Sequence, residues 1–389
     1  MGPAINTTLA ESSPFVTPGD DFLLFILHSC GGDGRGCGSG DAQWGNRQEN
    51  CGAVMESTMK IFWCLLVCSF AINSESTLAD PSFEGKYFSQ TPPGMTAKKF
   101  APGIISTIYH EHSSPVYSPD GKEMFYTLSH EHGHALMYLR MENGQWSIPK
   151  TALFSGEFSD DKAHFSADGK RLYFSSKRPI DGLTEEENKL RGWVYRDWYI
   201  DKINDEWPRT ATLNLDGNMT QTLSGTIYGN KLSDIDDPYS NRISYQTLTN
   251  GTYSEPVIMS DDINSGRLKY FGFVAPDESY LLFYALGRPE MADDTMSIFI
   301  SFRGPDGVWG KSISLGEPVN YDGGTSRFPR ISPDGKYLFF NWQKDDDNQN
   351  RELTLVEKSF VANEPYIGNG DIYWISSEII EQLRHTNEQ

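Results

Sequence analysis

The chain has 389 residues, with 53 acidic against 33 basic side chains and a formal net charge of -20 at pH 7. That balance excludes nucleic acid as a partner, because phosphate binding requires a basic face. The length suits one large domain with an appendage.

The N-terminal stretch is composite. Ser13-Pro14-Phe15-Val16-Thr17-Pro18 and Phe22-Leu23-Leu24-Phe25 read as strand, turn and strand, and match Phe328 to Pro333 and Tyr337 to Phe340 near the other end. Gly40-Asp41-Ala42-Gln43-Trp44 echoes Gly370-Asp371-Ile372-Tyr373-Trp374 in the same way. Residues 1–58 therefore read as a fused remnant of a related repeat, outside the functional chain. Residues 59–80 then read as a signal peptide: basic Lys60, an apolar core from Ile61 to Ile72, polar Asn73 to Thr77 and small Ala79. A core this short does not give a stable transmembrane span. Translation from Met59 implies an exported protein, periplasmic or secreted. A competing reading anchors a lipid on Cys68, but Val67 before it is bulkier than such sites favour. The five cysteines, Cys30, Cys37, Cys51, Cys64 and Cys68, all precede residue 69. The rest of the chain thus needs no disulfide scaffold, and the spacing fits no metal-ligand pattern.

From residue 81 onward the chain repeats itself. Ser118-Pro119-Asp120-Gly121 returns as Ser166-Ala167-Asp168-Gly169, Ala275-Pro276-Asp277-Glu278 and Ser332-Pro333-Asp334-Gly335. The spacing is about 50 residues, with one gap of about twice that, and fixed-period self-similarity decides the fold. The gap hides a degenerate unit, seen in Ser224 to Gly229, Arg242 to Tyr245 and Gly251 to Pro256. In each unit a strand runs into the Asp-Gly turn, where Gly tolerates positive φ and Asp caps its own turn. An aromatic second strand follows, such as Arg171-Leu172-Tyr173-Phe174, then a third, such as Ser297-Ile298-Phe299-Ile300. A Gly/Trp turn, as in Gly144-Gln145-Trp146, opens the fourth. Only Ile379 to Arg384 reads as helix. Four strands per unit make a propeller blade. The expectation is an all-β chain with a single β-propeller over residues 81–389: five blades counted, six being the alternative. The last unit lacks a fourth strand. Phe100 to Ile105 stands where Ser314 to Val319 stands before that unit, so an N-terminal strand is expected to close the ring.

These motifs, together with Asn369-Gly370-Asp371-Ile372-Tyr373-Trp374, resemble the TolB-type, WD-like β-propeller family over about residues 86 to 384. The resemblance implies a fold and a binding platform, and it implies no reaction, since the Asp-Gly motif is turn chemistry.

Aligning the units puts Val116, His164, Phe273 and Arg330 in one column, and Ser114, Lys162, Phe271 and Phe328 two residues earlier. One column faces the axial channel. His164, Lys162 and Arg330, with His112 and Asp161 nearer the strand starts, are the candidate ligand-binding residues. His130, His132 and His134 alternate, and on an extended strand would share a face able to hold zinc, copper or nickel. Against this, Ser129 to Gly133 reads as a solvated outer loop. The pairs and runs at Asp160-Asp161, Asp234 to Asp237, Asp261-Asp262 and Asp345 to Asp347 read as solvated loop charge, none matching a calcium loop. Nucleophile-elbow, phosphate-loop, dinucleotide and metalloprotease signatures are missing, so no catalytic residue is assigned. No cofactor is expected, a divalent metal belonging to the alternative reading. The leading expectation is a noncatalytic exported platform for a protein, small-molecule or saccharide ligand. The alternative is a metal-dependent polysaccharide lyase or hydrolase, by analogy with similar propellers.

Overall fold

The computed structural model describes residues 15–16, 23–24, 83–130, 133–190, 195–214, 220–232, 238–291, 295–321, 323–344 and 370–387. The signal-like segment, the cysteines, His132 and the acidic runs at 234–237 and 345–347 lie outside the described residues. The chain divides into two compact units, Met1–Thr77 and Leu78–Gln389. In the first, Phe15–Val16 pairs antiparallel with Leu23–Leu24.

The second unit is a five-bladed β-propeller of four-stranded antiparallel blades. The first blade is Glu111–Tyr117, Glu123–His130, Gly133–Glu142 and Lys150–Thr151. The second is Asp160–Phe165, Arg171–Ser176, Arg196–Asp201 and Thr212–Leu213. The third is Thr220–Gln221, Ile227–Leu232, Asn241–Gln246 and Val257–Ile258. The fourth is Leu268–Val274, Tyr280–Leu286, Ser297–Phe302 and Ile313–Ser314. The fifth takes Gly324–Ile331, Tyr337–Lys344 and Gly370–Ser376 from its own repeat and Lys98–Lys99 from the N-terminal side. Lys99 lies opposite Tyr373 and Lys98 opposite Trp374. An N-terminal strand therefore closes the ring as expected, but it is Lys98–Lys99 and not Phe100 to Ile105, which follows it.

The turns explain why the motif recurs. At the first turn the Ser118 hydroxyl donates to Asp120 at 2.6 Å and accepts from the Glu123 N–H at 2.9 Å. Ser166 and Asp168, and Ser332 and Asp334, repeat this arrangement. The hidden copy is Thr222-Leu223-Ser224-Gly225: Gly225 N–H donates to the Thr222 carbonyl at 3.0 Å, as Gly121 does to Ser118. There Ser224 replaces the aspartate and accepts from Thr226 N–H.

The Gly/Trp turn opens the outer edge of the first blade as expected: Gln145–Trp146 pairs with the third strand, Trp146 opposite Met141, ahead of Lys150–Thr151. Trp146 is buried, and its backbone N–H donates to the Phe83 carbonyl of the N-terminal segment. Two local expectations are corrected. Helix is not confined to the C-terminus: Glu185–Leu190 and Asp261–Asn264 are helical besides Glu378–Asn387. Thr184 and Glu187 form a reciprocal capping box at the first. Finally, Asp160 and Asp161 are not solvated loop charge. Both are buried on the second blade's inner strand, where Asp160 bonds the Arg178 guanidinium at 2.9 Å.

Aromatic clusters fill the seams between blades. Phe100, Tyr117, Trp146, Phe339 and Trp374 join the fifth blade to the first. Phe125, Phe154, Phe174 and Trp198 join the first to the second, and Tyr228, Phe271 and Phe283 the third to the fourth. Burial of this apolar area is the main favourable term holding the ring together.

Candidate functional site

The inner strands do not run straight. Register slips between Ser113 and Val116, Asp161 and His164, Phe271 and Phe273, and Arg327 and Arg330. A bulge at the same level of four blades bends each strand and re-aims its side chains. Two bulge residues, Lys162 (φ 56) and Phe328 (φ 53), hold the left-handed backbone, which costs a residue with a Cβ about 1–3 kcal/mol. At the fourth blade's bulge glycine is obligatory. A Cβ on Gly272 would sit 2.6 Å from Pro329 Cγ and 2.8 Å from the Leu282 carbonyl oxygen.

Contacts between blades that are not neighbours locate the axis. Arg330 on the fifth blade lies 2.8 Å from His164 Nε2 on the second, and His164 Nδ1 is 3.3 Å from the Thr220 hydroxyl on the third. Above this layer Lys162 Nζ crosses from the second blade to 4.9 Å from the Tyr270 ring and 5.9 Å from the Phe328 ring. His112 Nε2 is 3.4 Å from Asp161 Oδ2. All five sequence candidates for the ligand site, His112, Asp161, Lys162, His164 and Arg330, thus stand along the axis. His112 and Asp161 stand near the starts of their inner strands, away from the Asp-Gly turns, whereas His164 and Arg330 stand near the strand ends, two residues before Ser166 and Ser332.

The histidine row behaves differently from expectation. Ser129 and His130 belong to the second strand of the first blade and pair with His134 and Gly133 of the third, so these four are paired strand residues and not a solvated loop. His134 stacks on His112 with centroids 3.9 Å apart and planes 20° from parallel, and its Nδ1 lies 3.1 Å from the Ser129 hydroxyl. Ring nitrogens carry their lone pairs in the ring plane, so stacked imidazoles aim them side by side. No cluster of three metal-capable side chains gathers among the described residues.

Burial and charge set the protonation states. Burial, then the neighbouring His112, pushes His134 down to about 3, and burial with His112 and Arg327 pushes His110 down to about 4. His164 is held well below the usual range by burial, Arg330 and Lys162. Burial alone would raise Asp161, but the facing His112 outweighs it and keeps this carboxyl well below the usual carboxylate range. Glu111 is the opposite case. It is fully buried, with Oε1 accepting from Thr107 and Oε2 without a hydrogen-bond partner, and burial pushes it up to about 8.

A pH test follows. Unfolded Glu111 ionises above about 4.5, whereas the folded carboxyl holds its proton to about 8. The folded state binds more protons in that window, so Glu111 withdraws stability as pH rises through it. Glu111→Gln keeps the Thr107 acceptor and removes the titration. Its stability relative to wild type is expected to grow from pH 5 to pH 8.5 by a few kcal/mol at most. Urea unfolding at the two pH values measures this, and parallel pH profiles would refute it.

Two axial residues escape the sequence alignment. Tyr270 and Arg327 occupy the position of Asp161 in the fourth and fifth units. Arg327 donates to Gln343 at 2.5 Å and lies 5.7 Å from the Phe328 ring, while Tyr270 stacks on Tyr284. The signal was present as register with Asp161, but the bulge adds one residue and defeats counting by alternation.

No family model matches the chain, and no curated protein matches it. Among solved structures it is similar to TolB from Acinetobacter baumannii, with a TM-score of 0.39 and 14% identity over 70% of this chain and 59% of that one. It therefore spans less than two thirds of that protein's length. It is also similar to the alpha-L-arabinofuranosidase PaAbf62A from Podospora anserina in complex with cellotriose, with a TM-score of 0.40 and 11% identity over 73% of this chain and 97% of that one. The catalytic domain of the Coprinopsis cinerea GH62 alpha-L-arabinofuranosidase gives a TM-score of 0.38 and 12% identity over 74% and 98%. No helix among the described residues is long and apolar enough to cross a membrane. By its own strand pairing, and not by these likenesses, the chain is a closed five-bladed β-propeller whose repeat resembles that of TolB-type proteins.

Proposed function

We propose that this is an exported propeller that binds a ligand at the axial mouth without transforming it. The observation that carries this reading is the convergence of His112, Asp161, Lys162, His164 and Arg330 across the axis. Polar and charged groups from separate blades meet there beside aromatic faces, the composition expected of a small-molecule or saccharide site. The strain held at Lys162 and Phe328 supports it, since left-handed residues with a Cβ persist where function requires a fixed geometry.

A hydrolase is the second reading, and one observation favours it. Asp161 and Asp197 both lie opposite Ser175, on the strands flanking it. Their protonation is pushed apart: Asp161 is held down by His112 against its burial, and Asp197 is raised by burial. Such a pair suits a base and an acid.

One experiment separates the two. A panel of neutral and acidic oligosaccharides is titrated against wild type, His112→Ala and Asp161→Asn, and each mixture is then examined for cleavage. The platform reading expects binding that both variants weaken and no product. Product that disappears in Asp161→Asn, with binding retained, would establish the hydrolase. Binding indifferent to both variants would remove the axial mouth as the site.

A further inference from the structure

The axis of this acidic chain is cationic. Lys162, Arg327 and Arg330 approach it, and none forms an ion pair with a carboxylate among the described residues. Lys162 lies over the rings of Tyr270 and Phe328. Arg327 donates to the neutral amides Gln343 and Asn341, and its buried Nε has no hydrogen-bond partner. Arg330, 8% exposed, bonds the carbonyls of Gly272 and Pro329 and the ring of His164. The carboxylates facing this group are Asp161, opposite His112 and within electrostatic reach of Lys162, Arg327 and Arg330, and Asp197, bonded to Ser175 and within electrostatic reach of Lys162. The nearby imidazoles of His110, His134 and His164 are held neutral and add no charge.

Three cations face two carboxylates here, and an arriving anion offsets the cost of withdrawing the surplus positive charge from water. Two of them share Phe328 as a neighbour: Lys162 Nζ is 5.9 Å and the Arg327 guanidinium carbon 5.7 Å from its ring centroid. The guanidinium is a planar fork suited to a carboxylate, and its amide partners fix its orientation. Around it stand an apolar ring, Tyr270, and an acceptor, since Asp161 Oδ1 has no hydrogen-bond partner. A carboxylate, a ring face and hydroxyl donors are the three features of a uronic acid.

Resting on the binding reading above, we infer that the axial mouth takes a carboxylate-bearing saccharide, its anionic group between Lys162 and Arg327 and a sugar face against Tyr270. The test is calorimetric titration with oligomers of galacturonate, glucuronate and mannuronate, each beside its carboxyl-reduced counterpart, and with citrate as a simple anion. At least one acidic oligomer is expected to bind, and its reduced counterpart at least about tenfold more weakly. Arg327→Gln and Lys162→Asn are each expected to weaken it by about 10- to 100-fold. Asparagine tolerates the left-handed backbone, and Lys162→Arg should restore much of the loss. Thermal unfolding of each variant confirms that it is folded. Equal affinity for a reduced oligomer would overturn the inference and leave the platform standing. Citrate binding as tightly as the sugars would reduce the mouth to an anion site. No binding by any acidic oligomer to folded wild type would also overturn the inference, while the neutral members of the wider panel still test the platform.

Discussion

Glu278→Ala is expected to lower the stability of the propeller by about 3 kcal/mol, read as a fall in the urea midpoint. The residue occupies the turn position that glycine holds in the other four copies, and it does so with a left-handed φ of 61. The reason for keeping a Cβ there is the carboxylate. It is buried and accepts from Thr222 and Tyr228 at 2.9 Å each, from Ser224, and from the Arg303 guanidinium at 2.5 Å. Three of those donors belong to the third blade, so one side chain on the fourth blade holds the degenerate turn of its neighbour. Removing it takes the acceptor from the buried Tyr228 hydroxyl and one of the acceptors of the buried Thr222 hydroxyl. Glu278→Gly relieves the backbone and should recover about 1 kcal/mol relative to alanine, without restoring wild type. An alanine variant losing under about 1 kcal/mol would show that the third blade holds its turn unaided.

Trp374→Ala is expected to remove about 3–5 kcal/mol, the usual effect of emptying a large aromatic site. Trp374 is fully buried and sits opposite the closing strand at Lys98. Its ring meets Tyr87, Phe100, Tyr337 and Phe339 at centroid distances between 4.8 and 6.2 Å. Those partners come from both ends of the propeller's chain, so the cavity opens inside the fifth blade, where the N-terminal strand pairs with Gly370–Ser376 without a direct chain connection. Trp374→Phe should recover most of the loss. Protease digestion of the alanine variant should release the segment before Glu111 earlier than in wild type. A cut pattern unchanged from wild type would mean that closure does not depend on this ring.

The architecture was legible because the Asp-Gly turn is self-contained chemistry. Ser118, Asp120 and Gly121 bond to one another and to the next strand, so the pattern survives wherever the repeat does. Where partners outside the turn took over, the pattern faded. At Thr222 to Gly225 a hydroxyl serves for the carboxylate, and Glu278 supplies the remainder from another blade. The site was legible only in part. His112, Asp161, Lys162, His164 and Arg330 were found by lining up the repeats. Tyr270 and Arg327 were not, because each bulge shifts the face that a residue presents. The burial of Asp160 was equally hidden, since its partner Arg178 lies on the far side of the next strand. The capping box at Thr184 and Glu187 is written in the spacing of the two residues alone.

The fifth blade has a consequence for the order in which the molecule is made. Its outer strand, Lys98–Lys99, is synthesised first, and its partner, Gly370–Ser376, last. During elongation Phe88 can already pack on Trp146 of the first blade, but Lys98–Lys99 has no strand to pair with until the final repeat emerges. Four blades can stack in sequence, each on its predecessor, but the clasp must wait for the longest-range contact in the chain. The interval in which that strand stays unpaired is the period of greatest exposure to mispairing, and it ends only with the last few dozen residues.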